Sequence, residues 1–171
     1  MKWFTHQTVA VAAAIALHIP PVGIAAVLVG AILPDMIDHK IAGRGPNRQK
    51  IFNKIHRGAS HWFGWYVALL LCGLILNLAP RETDIVLGLA FGALMHIALD
   101  LLTPAGVPLV PPLPFLAGHK GKGRISLNMC STGSIQEYIF LVASVGLLWL
   151  ITGDQMLHTL DKALKGVVRF L

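Results

Sequence analysis

Apolar residues in this chain stand in runs, not in stripes: Thr8 to Leu33, Trp62 to Ala79, Ile85 to Leu102 and Tyr138 to Ile151 pass with almost no charge. Runs of roughly 18 or more such residues have the length a bilayer asks of a helix, whereas a soluble amphipathic helix repeats its apolar positions every three or four residues. Hydrophobic residues make up 55% of the 171 and charged residues 13%, where a soluble domain carries about 25% charge. That excess is too large for one globular core and places the chain among membrane proteins.

The breaks between runs predict the architecture. His18-Ile19-Pro20-Pro21 interrupts the first run, because consecutive prolines remove backbone donors and clash with the preceding turn. Residues 8–33 therefore read as a Pro-broken helical hairpin. Residues 39–57 form a basic, Gly-containing loop, and a tight connector at 80–84 joins the second and third runs. The Pro-rich stretch Pro108 to Pro114 is too short to span and leads to a basic patch at Lys120, Lys122 and Arg124. After Gly153, Leu157, Leu160, Leu164 and Val168 alternate with Lys162, Lys165 and Arg169 in the pattern of an interfacial amphipathic helix. The expectation is an all-α, polytopic membrane helical bundle forming one domain over 1–171: the hairpin at 8–33, membrane helices at 62–79, 85–102 and 135–152, and an interfacial helix at 154–171.

Charge and cysteine content exclude other classes. The net charge of +6 could suggest nucleic acid, but the Lys and Arg residues lie between apolar runs without an accompanying aromatic stripe. Such residues fix topology and meet anionic lipid headgroups, so the expected partner is membrane lipid, an anionic phospholipid in particular, with no nucleic acid and homo-oligomerisation left open. Cys72 and Cys130 have no second Cys or close His to make a zinc pair. Lys2 and the stretch from Val9 to Leu17 imitate a signal peptide, but cleavage would leave no polar domain to be secreted. The loops at 39–57 and 118–124 carry nine Lys and Arg while the 80–84 connector has one against two acids. The positive-inside rule then puts both basic loops in the cytoplasm, in a bacterial-type inner membrane crossed several times.

The few acids and histidines concentrate at one end of the predicted helices. Asp35, Asp38 and His39 end the hairpin, His56 and His61 precede the second run, His96 and Asp100 close the third, and Glu137 opens the last; His6 joins them if the hairpin returns. Asp35 with His39, and His96 with Asp100, stand at i, i+4 and can grip one ion from one helix face. Imidazole with carboxylate suits zinc, manganese or iron better than calcium. An unpaired Asp100 amid apolar residues would be costly, so a functional role is the default reading. Structural readings compete: Asp35 after Pro34 ends a helix, His39 and His56 are solvated in a basic loop, His96 and Asp100 form a buried ion pair, and Glu137 after Ser134 completes a capping box.

The segments Gly30-Ala31-Ile32-Leu33-Pro34-Asp35-Met36-Ile37-Asp38-His39, His56-Arg57-Gly58-Ala59-Ser60-His61 and His96-Ile97-Ala98-Leu99-Asp100-Leu101-Leu102-Thr103-Pro104-Ala105-Gly106 together resemble the YdjM-like family of predicted membrane-bound metal-dependent hydrolases, in order and along nearly the whole chain. That family is distantly similar to the zinc-dependent phospholipase C and P1 nuclease group. The resemblance implies a membrane-bound metal-dependent hydrolase, a phosphoesterase acting on a lipid or lipid-linked phosphate. It implies a divalent metal, zinc first with manganese or iron as alternatives, in one to three ions held by His6, Asp35, His39, His56, His61, His96, Asp100 and Glu137. Asp38 or Asp35, whichever is not a ligand, would be the general base, and Arg57, Lys120 and Lys122 would hold the substrate phosphate. The alternative is a non-catalytic, metal-stabilised scaffold that binds anionic lipid or a cytoplasmic partner.

Overall fold

A computed structural model describes residues 1–110 and 123–168, with the backbone alone at 151 and 154–168. Helix α1 (Trp3–Ala16) is closed by a turn in which Ile19 N donates to Ala14 O at 3.0 Å, and His18 takes the left-handed conformation (φ 57°) that glycine usually fills at this point. The proline pair then starts a helix instead of kinking one: Pro21 opens α2 (Pro21–Gly30), where its missing N–H costs nothing. Helix α2 runs back along α1, and α3 (Leu33–Ala42) continues from it at an angle of 41°. The bend falls at Ala31-Ile32, just ahead of Pro34.

The basic segment expected to be a loop folds in large part. Helix α3 extends to Ala42 and a short helix, α4 (Arg48–Ile55), follows after Gly43 and Gly45, both at positive φ. A single 3-10 turn at Ala59–His61 leads into α5 (Phe63–Ile75), which stops four residues short of the expected 79. The 80–84 connector is in fact the first turn of α6 (Pro80–Leu101), with Pro80 at its start. A two-residue antiparallel ladder follows, β1 (Val107–Pro108) on β2 (Arg124–Ile125). Helix α7 runs unbroken from Ile135 to Val168, so Gly153 does not divide a membrane helix from an interfacial one. The side chains of that tail, like residues 111–122, lie outside the described residues.

The centre of the molecule is the crossing of α2 and α6. A Cβ on Gly92 would lie 2.3 Å from the Val27 carbonyl oxygen, one on Gly88 2.4 Å from that of Gly23, and one on Gly30 2.3 Å from that of Leu89. Only glycine lets the two backbones come this close, the small-residue packing that membrane helices use where no hydrophobic force drives them together. The buried cluster at this crossing is accordingly built of small side chains, Ala10, Ala14, Val27 and Ala31. Large apolar side chains face outward instead: Ile75 is 75% exposed, Val142 71% and Leu150 82%.

Among the described residues, α6 alone is long and apolar enough to cross a membrane, and the bent pair α2 with α3 passes the same test if taken as one span. Helix α5 and the first half of α7 are apolar but shorter.

Candidate metal centre

Four elements bring their polar residues to one end of the α2–α6 crossing: α1 supplies His6, α3 supplies Asp35 and Asp38, the 56–61 segment supplies His56 and His61, and α6 supplies His96 and Asp100. Two groups of metal-competent side chains result, Asp35, Asp38, His56 and His61 in one, and His6, His96 and Asp100 in the other. All are buried except His56, whose side chain is 28% exposed.

The two groups meet on four atoms. The Nε2 atoms of His61 and His96 lie 3.2 Å apart. Asp35 Oδ1 is 3.3 Å from the first and 3.7 Å from the second, and Asp100 Oδ2 is 3.6 Å from each. A tetrahedral ion with N and O ligands at about 2.0–2.1 Å has ligand–ligand edges of roughly 3.3–3.4 Å.

Hydrogen bonding assigns the lone pairs. His96 Nδ1 sits 2.7 Å from the carbonyl oxygen of Ala31, which can only accept, so Nδ1 carries the proton and Nε2 is bare. Ser60 donates its hydroxyl to Asp38 Oδ1 at 2.5 Å, so its oxygen is free to accept from His61 Nδ1 at 2.9 Å. His61 Nε2 is thereby bare too. Asp35 Oδ1 has no hydrogen-bond donor although it is buried, while Trp3 Nε1 holds its other oxygen at 2.6 Å. Two imidazole nitrogens and two carboxylate oxygens thus line a buried site, an arrangement that repels itself unless a cation or a proton lies between them. Outer partners that fix a histidine tautomer in this way are a regular feature of metal sites. The donor set fits a divalent ion.

Around these four the remaining charges are distributed. Asp100 Oδ1 accepts from Arg57 Nη2 at 2.9 Å and from the Met1 α-amino group at 3.1 Å, and lies 3.4 Å from His6 Nε2. The His6 ring stacks on His96 with centroids 3.9 Å apart, and its Nδ1 has no partner. His56 Nδ1 lies 3.4 Å from Asp35 Oδ1 and 3.3 Å from Asp38 Oδ2, which also accepts from Arg57 N.

The two aspartates differ in their surroundings. Asp35 points an unpaired oxygen at the histidines, and Asp38 stands behind His61 and His56 with its oxygens occupied by Ser60 and Arg57.

Other expected site residues go elsewhere. His39 faces away, its ring stacked on Phe52 at 4.2 Å and edge-on to Trp3 at 5.5 Å. Glu137 is fully buried, but its carboxylate accepts from Lys2 N and Thr5 Oγ1 at 2.7 Å and Gly133 N at 2.6 Å, tying α7 to the start of α1. Half of the capping box is present as well, since Glu137 N donates to Ser134 Oγ at 3.3 Å. The Arg57 guanidinium turns inward onto Asp100 and Thr103 Oγ1, while Lys120 and Lys122 lie outside the described residues.

On sequence alone no site role falls to Trp3, Ser60 or Thr103, and Arg124 counts only as part of a basic patch. Ser60 and Thr103 stood inside the quoted motifs, which was the one available signal. Arg124 donates to the carbonyl oxygens of Arg57 and Gly106 at 2.9 and 3.3 Å; burial, and then the nearby Arg57 charge, lowers its pKa from the ordinary value.

Apolar helices around a buried His and Asp cluster define a helical membrane protein with a candidate metal centre. A family model described as YdjM inner membrane protein matches residues 1–161, and the chain belongs to that family. It is 36% identical over 118 residues to the inner membrane protein YdjM of Escherichia coli strain K12 and, to the same extent, to that of Shigella flexneri. These matches cover 61% of this chain and 57% of each relative, so the chain spans little more than half the length of the curated relatives it matches. No solved structure matches it.

Proposed function

We propose that this chain is a membrane-bound, metal-dependent hydrolase, a phosphoesterase acting on a lipid or lipid-linked phosphate. The observation that carries the reading is that His61 Nε2 and His96 Nε2 lie 3.2 Å apart, with Asp35 Oδ1 and Asp100 Oδ2 each within 3.3–3.7 Å of both nitrogens. These four residues would hold one divalent ion, zinc by its chemistry, with manganese or iron as alternatives. His6 and His56, each beside one of the carboxylates, are the ligands available to a second. When bound, such an ion supplies Lewis acidity that activates water and stabilises charge on a phosphoryl oxygen.

The chain's own residues do the rest. Ser60 and Asp38 hold the His61 tautomer, the Ala31 carbonyl holds that of His96, and Arg57 balances the charge of Asp100. His56 is the member of the cluster that reaches solvent and its Nδ1 lies 3.3 Å from Asp38 Oδ2, so this pair would accept a proton from water at the exposed edge of the cluster.

Metal content per chain tests the reading on detergent-solubilised protein, native and with Asp35→Asn or His96→Ala, followed by chelator-sensitive hydrolysis of phosphate esters. One or more equivalents in the native protein, lost in the variants, with turnover that chelation abolishes, is the expected result. No metal after purification and none taken up from added zinc, manganese or iron would overturn it.

A second reading has its own observation. His61 and His96 are fully buried, as in a closed structural site. Bound metal without turnover on any phosphoester would establish that scaffold instead.

A further inference from the structure

Helix α4 is held to the protein by one side only. Phe52 lies sandwiched between His39 and His56, with ring centroids at 4.2 and 4.6 Å, and no residue of the helix is buried. Lys50 and Lys54 stand at i, i+4 on its free side with Ile51 beside them, 41% exposed. The flanking α3 adds exposed Ile41 and Met36 together with Lys40, and Arg44 follows. No acidic residue occurs between Asp38 and Glu82, and among the described residues none of these Lys and Arg side chains forms an ion pair.

We infer that α4 and the end of α3 form a docking surface for anionic phospholipid headgroups, with Lys40, Arg44, Lys50 and Lys54 meeting the phosphates and Ile41 and Ile51 entering the acyl boundary. The charge on this face is wholly positive, the complement of an anionic leaflet. Exposed isoleucines interleaved with lysines match an interface that has both a charged and an apolar layer, which a soluble polyanion lacks. Family membership puts the chain in the membrane that supplies such headgroups. The helix leads into His56, the partly exposed member of the metal-competent cluster, so docking would bring lipid phosphate to the edge of that site. The docking surface itself uses none of the proposed ligands and stands without the metal reading.

The test uses the full chain reconstituted in nanodiscs, with Cys72→Ser and a spin label at Ile51→Cys, read by accessibility to oxygen and to a water-soluble nickel complex. In discs of phosphatidylglycerol the label should be oxygen-accessible and shielded from nickel, and in phosphatidylcholine discs the reverse. Raising salt to about 1 M, where the screening length falls to about 3 Å, should return the phosphatidylglycerol sample toward the aqueous value, and Lys50→Glu with Lys54→Glu should do so at low salt. Equal accessibility in the two lipids, or indifference to salt, would overturn the inference; the salt series needs no charge variant to fold. Shielding by an added oligonucleotide or acidic polypeptide, with no response to phosphatidylglycerol, would assign the surface to a soluble polyanion and overturn it too. Metal content measured on the same samples keeps the outcome separate from that of the hydrolase reading.

Discussion

Replacing Gly92 by alanine should loosen the whole molecule and its site together. The added Cβ would meet the Val27 carbonyl oxygen at 2.3 Å, Ala31 N at 2.8 Å and Gly30 C at 3.0 Å, all backbone atoms that no rotamer change can move. Reaching ordinary contact requires α2 and α6 to separate by roughly 1 Å. The same stretch of α2 carries the Ala31 carbonyl that fixes His96 Nδ1 at 2.7 Å, so the separation also unhooks that bond. Overpacking costs about 1–3 kcal/mol and a buried donor left unpaired about 1–3 kcal/mol, against about 1 kcal/mol recovered from the better helix propensity of alanine. The net loss is about 3 kcal/mol, which for a chain of this length lowers the thermal midpoint by roughly 6–12 °C. The assay is the fraction of detergent-solubilised protein that stays monodisperse after heating. Gly146→Ala is the control, since a Cβ there meets nothing within 4 Å. Equal midpoints for the two variants would refute the close-packing argument, and an unchanged metal content in Gly92→Ala would refute its link to the site.

Three further outcomes follow from the same contacts. Glu137→Gln, which turns one acceptor facing three donors into a donor, should cost about 1–3 kcal/mol of stability and leave metal stoichiometry unchanged; loss of metal without loss of stability would make Glu137 a ligand after all. Arg57→Lys keeps the charge but cannot reach both Asp100 and Thr103, so a loss of about 1–3 kcal/mol is expected with inorganic phosphate affinity unaltered; weaker phosphate binding at full stability would return Arg57 to the substrate. Ser60→Ala removes the link between His61 and Asp38 and should weaken metal affinity about 10–100-fold, read by competition with a chromogenic chelator; unchanged affinity would show that His61 needs no outer partner.

The site was legible wherever spacing alone fixes geometry. His96 and Asp100 stand four apart on a helix that is otherwise apolar from Ile85 to Leu101, and no turn or partner could separate them. Asp35 and His39 have the same spacing, yet it is Asp38, three along, and not His39 that joins Asp35 in the group with His56 and His61. Both neighbours flank Asp35 on α3, and only the packing of α3 against the 59–61 turn on one side and α4 on the other decides which flank faces the histidines. Glu137 illustrates the converse. Its buried carboxylate looks like a ligand in a linear motif, but three donors from α1 and the 133 turn reach it first. The basic 39–57 segment reads as a loop from sequence because its glycines and charges mask an eight-residue helix whose Phe52 is anchored by His39 and His56, rings outside that helix.

Sequence by itself determined that this chain is apolar and helical, where its first hairpin turns, and that histidines and aspartates gather at one end of the helices, because run length, proline position and helical period are local properties. Tertiary structure alone decided that His61 and His96 turn bare nitrogens toward each other, that Asp35 and not Asp38 faces them, and that Arg57 looks inward. Those facts depend on which carbonyl, hydroxyl or side-chain donor reaches a given atom across elements as far apart as α1 and α6, and no spacing along the chain encodes them.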